Sequence, residues 1–223
     1  SVISEDDTKK KRIIFDPKML PNVVVADPEL TFGLPATITA ATGFDALTHN
    51  IEAYLAKGFH PICDGIALEG VKLVATHLEK AVNEPNNLEA RSGMLMASMM
   101  GAIAFQKGLG LTHSAAHSLS TVYDTHHGLA NALMLKACMI FNRESCPERI
   151  EALGLAAGLK SADDFIDWIG SFQNAVGLPT GLKELKIEIT DQLLDTAFAD
   201  PCHPLGPREV SRDDFKKLYE DSM

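Results

Sequence analysis

The chain has 223 residues, 46% of them hydrophobic, enough for one large cored domain or two small ones. Its formal charge of −10 and pI near 5.2 argue against a surface built for phosphate backbones, which draws its affinity from clustered Lys and Arg. Four scattered cysteines (63, 138, 146 and 202) show no metal-ligand spacing, and a chain of this size needs no disulfide staples, so a reducing cytoplasm is the expected home.

In chain order, the one basic run, Lys9-Lys10-Lys11-Arg12, follows Glu5, Asp6 and Asp7 and reads as a solvated turn. Only Ile13-Ile14-Phe15 is continuously apolar after it, so no signal-peptide core is expected. The runs "RIIF" and "VVVAD", separated by the Pro-containing "DPKMLPN", predict a β-hairpin within residues 1–31. Beyond it, 32–223 takes helical spacing punctuated by Gly and Pro, which predicts a mainly α body.

A helix beginning near Thr42 places Phe44, Leu47, Ile51 and Leu55 along one stripe, with Asp45, His49 and Glu52 about 100–150° round from it. The apolar segment "MLMASMMGAIAF", 94–105, is too short to span a bilayer and is bracketed by Arg91 and Lys107. Gly93, Ala97 and Gly101 give it a smooth strip, so it is expected at the centre of the bundle. Gly108 and Gly110 then break that helix. In the next one Leu111, Ala115, Leu119 and Val122 form the apolar stripe, and His113 and His117 share the opposite side with Ser114, Ser120 and Thr121. A His126-His127 pair stands at the expected start of a further helix.

Asp45, His49, His113 and one of His126 or His127 together offer a carboxylate oxygen and three imidazole nitrogens. A divalent ion can be gripped between helices by such a set, and mixed N/O ligation suits iron, zinc, cobalt or nickel better than magnesium or calcium. Alone, an Asp/His pair at i,i+4 is an ordinary surface pair stabilising a helix by about 0.2–0.5 kcal/mol. The "HSAAH" spacing matches zinc peptidases, but their Glu is replaced by Ser114, which disfavours that chemistry. It is the concurrence of several such groups, off the core stripes and beside glycine breaks, that points to a site. A helical metal-dependent hydrolase is an alternative, although a contiguous His-Asp pair expected of it is absent. A non-catalytic helical module is another.

Two long segments carry a resemblance. "VVADPELTFGLPATITAATGFDALTHNIEAY", with Asp27, Pro35, Thr42, Gly43, Asp45, His49 and Glu52, resembles the first signature of the iron-containing (group III) metal-dependent alcohol dehydrogenases, and "GLGLTHSAAHSLSTVYDTHHGLANA" resembles the second. Gly206 departs from the Asn of many members. The resemblance implies a helical bundle like the α domain of dehydroquinate synthase, with Asp45, His49, His113 and His127 as metal ligands and His126 as a bystander. It implies Fe(2+), with Zn(2+) as the alternative, together with NAD or NADP and a small alcohol or aldehyde substrate. His117 is implied to face nicotinamide and substrate as the proton relay, with a fifth-ligand role as the alternative. Lys11 is implied to lie near the cofactor, against the alternative of a solvated surface Lys. Glu52 and Asn131 are candidates to hold the ligands in place. Members of the family carry a Gly-rich dinucleotide-binding domain before the equivalent of residue 1, and no such phosphate loop occurs here. The hairpin is therefore expected to belong to the edge of that domain, and the chain by itself to bind metal with little turnover. A homodimer is a further expectation.

Overall fold

The computed structural model describes the backbone of residues 2–4 and 11–13, and residues 14 and 16–223 with their side chains. Strands β1 (Val2–Ser4) and β2 (Lys11–Ile13) pair antiparallel, Ile3 opposite Arg12. The predicted partner of β2 is therefore corrected. Residues 22–27 form no strand, and Val23, Val24 and Val25 are 78%, 64% and 84% exposed. A β-branched run has strand propensity, yet a strand exists only where a neighbour takes up its backbone groups, and none of the described residues does so here.

Nine α-helices follow among the described residues: α1 (Ala36–Leu55), α2 (Pro61–Asn83), α3 (Leu88–Ala104), α4 (Leu111–Tyr123), α5 (His127–Arg143), α6 (Pro147–Ala156), α7 (Ala162–Ala175), α8 (Asp191–Phe198) and α9 (Arg212–Asp221). Side-chain N-caps open several of them: Asn87 accepts from the Ala90 amide, Ser161 from Asp164 and Thr190 from Leu193. Among the described residues no single helix is long and apolar enough to cross a membrane.

The predicted α1 stripe is borne out, with Phe44, Leu47, Ile51 and Leu55 all buried against α2, α3 and α5. The helix starts earlier than its periodicity suggested, at Ala36 after Pro35. Its first turns are rich in Thr and Ile, weak helix formers, but burial of Thr39 under the Arg91 guanidinium, 2.9 Å from the Thr39 hydroxyl, overrides local propensity.

The expectation for 94–105 is corrected in part. Ala97, Gly101 and Ala104 are buried, and the Asn50 amide of α1 donates to the Ala97 carbonyl at 3.0 Å. Met96 and Ile103 on the other side are 49% and 53% exposed. α3 is thus a one-sided helix of the bundle wall, and its apolar composition overstated its burial.

Between α3 and α4 the chain turns at Gly108, whose φ of 141° lies where a side chain would be strained. That turn aims the N-terminus of α4 at Glu52, in the last turn of α1. α5 starts four residues beyond α4 and packs on both α1 and α4. Three helices thereby present their polar faces to one another.

Candidate metal centre

Asp45 and His49 lie one turn apart on α1, His113 is in the first turn of α4, and His127 is the first residue of α5. The carboxylate oxygen Oδ1 of Asp45 is 3.3 Å from Nε2 of His127, 3.8 Å from that of His113 and 3.9 Å from that of His49. One ligand atom from each of the four residues lies within 4.8 Å of all the others. Side-chain exposure runs from 1% at His113 to 33% at His127, so the group is closed on the bundle side and open on the other. His126, capping α5, is exposed and outside the group. Of the two histidines left open by spacing, His127 is the one brought in.

Glu52 explains why His113 sits where it does. It is 2% exposed, and its carboxylate accepts the backbone N–H groups of Gly110 at 2.9 Å, Thr112 at 2.5 Å and His113 at 3.2 Å, which are the orphan donors at the start of α4. A carboxylate at a helix N-terminus is favoured by the dipole as well as by these bonds. The same carboxylate lies 2.8 Å from Nδ1 of His113. An ionised carboxylate only accepts, so Nδ1 carries the proton and Nε2 presents its lone pair to Asp45's neighbourhood. Burial works to raise the Glu52 pKa, but the His113 bond and the backbone amides of Thr112 and Gly110 outweigh it and hold the carboxyl below its usual range.

The chemistry of the donor set fits a cation. The Nδ2 group of Asn131 on α5 donates to Asp45 Oδ1 at 2.7 Å and lies 3.2 and 3.5 Å from Nε2 of His127 and His113, while its own buried Oδ1 has no partner. One carboxylate oxygen and two imidazole nitrogens thus crowd a single amide group whose own oxygen is left without a partner, and a divalent ion would take up their lone pairs together. At Asp45 burial raises the pKa, and the His127 bond with the charges of His49, His127 and His113 overcomes it, leaving the carboxyl well below its usual range. Burial first, then repulsion from His113, push His49 down to about 4.

The His49 shift carries a sign. Its folded value lies below the ordinary 6.5, so the unfolded chain binds more protons between the two, and stability rises with pH across that window. The chelator-treated chain is expected to lose stability as pH falls from 6.5 toward about 4, read as a falling urea midpoint. A midpoint constant over that range would contradict this burial.

His117, one turn beyond His113 on α4, stands outside the four. Its Nδ1 is 2.8 Å from Asp200 Oδ2, and its ring stacks on His127 with centroids 5.2 Å apart. Burial lowers its pKa, with Asp200 opposing. Asp200 itself is held down to about 2: burial raises it, and the bond and charge of His117 prevail. The Phe105 ring covers His49, 5.2 Å between centroids. Asp200 and Phe105 were not among the candidates read from the sequence. Asp200 lies in the irregular turn "DPCHP" with no periodicity to mark it, and its one signal is a lone carboxylate opposite a Ser114/His117 face that needs a partner. Lys11 falls where the structure describes backbone only. A groove of about 670 Å³ between α5 and α7, lined by Lys136, Ile140, Arg143 and Asp163 among others, contains none of these residues.

Residues 39–223 match the family model described as "Fe-containing alcohol dehydrogenase family, C-terminal". The chain is 39% identical over 92% of its length to a 4-hydroxybutyrate dehydrogenase of Cupriavidus necator, covering 56% of that protein. It is 36% identical over its full length to an NAD-dependent methanol dehydrogenase of Bacillus methanolicus, covering 61% of it. A crystal structure of 1,3-propanediol oxidoreductase superposes with a TM-score of 0.95 at 33% identity, over all of this chain and 61% of that one. The chain thus spans somewhat over half the length of these relatives.

Proposed function

The chain belongs to the Fe-containing alcohol dehydrogenase family, and from that premise we propose that it is the metal-binding helical half of an NAD(P)-dependent enzyme interconverting small alcohols with aldehydes or ketones. The observation that carries the reading is the convergence of Asp45, His49, His113 and His127 within 4.8 Å. These four residues would hold the ion, Fe(2+) first and Zn(2+) as the alternative. Such an ion supplies Lewis-acid polarisation of the substrate oxygen.

The chain's own residues do the rest of the work on this side of the cleft. Glu52 fixes the His113 ring, Asn131 ties Asp45 to α5, and Phe105 packs against the His49 ring. His117, beside the cluster but bonded to Asp200, is placed to accept the proton that an alcohol loses as its hydride departs. The hydride acceptor, NAD or NADP, would be held by a dinucleotide-binding domain outside these residues, as the 56–61% coverage of the relatives supports. Residues 1–31 would lie along that domain's edge. The exposed Val23–Val25 run fits such a neighbour, and Lys11 would approach the cofactor there. Four free cysteines fit a cytoplasmic setting. A homodimer fits the family reading.

The test is an assay of the chain purified anaerobically. Bound divalent metal is expected, with no steady-state NADH from several alcohols until the polypeptide is extended by a dinucleotide-binding domain. Steady-state NADH production by these residues alone would overturn the two-domain reading.

A further inference from the structure

We propose that Asp200 is a positioning residue that fixes the tautomer of His117, leaving Nε2 as the bare nitrogen beside the metal cluster. The catalytic meaning of this rests on the function proposed above; the tautomer itself does not. Ser114 and His117, three apart on α4, both face the 200–203 turn. The Asp200 carboxylate is 9% exposed and both of its oxygens have partners. Oδ1 accepts from the Ser114 hydroxyl at 2.7 Å and from the Cys202 amide at 2.9 Å, and Oδ2 faces His117 Nδ1 at 2.8 Å. Ser114 has a single proton, and an ionised carboxylate cannot donate, so that proton goes to Asp200. Its lone pair then takes the His203 amide at 2.8 Å. Ser114 Oγ also lies 3.4 Å from His203 Nδ1, but each group that faces the Asp200 carboxylate can only donate to it, and the last of these is Nδ1–H of His117. Nε2, across the ring, makes no hydrogen bond among the described residues, and the ring's neighbours are His127 at 5.2 Å and His113 at 5.8 Å. A group that is to accept a proton from an alcohol must offer a lone pair, and this tautomer places it on the nitrogen turned away from Asp200.

Cys202 lies close enough to His117 and Asp200 for the three to be considered as a second ion site. A carboxylate already bonded through both oxygens and a thiol pushed up by burial and by Asp200 argue for the hydrogen-bonded arrangement instead.

Asp200→Asn discriminates sharply. The amide oxygen must take the Oδ1 position to accept from Ser114 and Cys202, which turns the NH2 group toward His117 Nδ1. That nitrogen must then accept, and the proton moves to Nε2. Long-range proton–nitrogen correlation spectra of the ¹⁵N-histidine-labelled, chelator-stripped chain read this directly. The wild type is expected to show Nδ1 protonated and Nε2 bare at His117, with the two exchanged in Asp200→Asn. Ser114→Ala, which keeps the carboxylate, is expected to retain the wild-type pattern. A wild-type His117 protonated at Nε2, which needs no variant to observe, would overturn the proposal, as would an unchanged pattern in a folded Asp200→Asn. Because the spectra are taken without metal, failure of the chain to bind an ion counts against the function above and not against this assignment.

Discussion

Glu52→Gln is expected to destabilise the chain by about 3–5 kcal/mol and to weaken metal binding about tenfold or more. The wild-type carboxylate is buried and serves four donors: the amides of Gly110, Thr112 and His113, and His113 Nδ1. Gln keeps one acceptor oxygen and points an NH2 group at the remaining N–H groups, which leaves buried donors facing donors. The helix start loses its anion, and His113 loses the acceptor that holds its tautomer. Urea unfolding and zinc titration check the two effects separately. An unchanged urea midpoint would show that α4 does not depend on this cap, and unchanged zinc affinity would show that His113 is set by something else.

Gly128→Ala should open the same site from the other side. A Cβ on Gly128 would lie 2.3 Å from the Ala41 carbonyl oxygen and 2.7 Å from its carbon. Both are backbone atoms in the second turn of α1, so no side chain can swing away and α5 must retreat by roughly 1 Å. His127 is the preceding residue, and its Nε2 stands 3.3 Å from Asp45 Oδ1. The expected result is a loss of about 1–3 kcal/mol of stability together with a weaker metal site. Gly65→Ala is the control: nothing lies within 4 Å of its added Cβ, so stability should hold or improve. Equal behaviour of the two variants would mean that the α1–α5 approach is not what sets the geometry.

Features with a local period were legible in the sequence. Phe44, Leu47 and Ile51 marked the buried face of α1, and Asp45 and His49 showed by the same arithmetic that a second face existed. His113 stood out because Gly108 and Gly110 preceded it and small polar residues surrounded it. What periodicity could not supply was pairing across the chain. The His117–Asp200 bond joins residues 83 positions apart, one of them in a turn without regular structure. The choice of His127 over His126 depends on which residue begins α5, a matter of one position that spacing leaves open. β2 was paired with the wrong partner because strand propensity names candidates and not neighbours. α3 read as central because Met and Ala report an apolar helix, whereas Met96 and Ile103 face outward.

The central claim is that Asp45, His49, His113 and His127 share one ion. Elemental analysis of the anaerobically purified chain, with each of the four replaced by Ala in turn, tests it most directly. One divalent metal per wild-type chain and a marked loss in every variant is the predicted result. Metal content that survives all four replacements, or a wild-type chain that binds none, would contradict it.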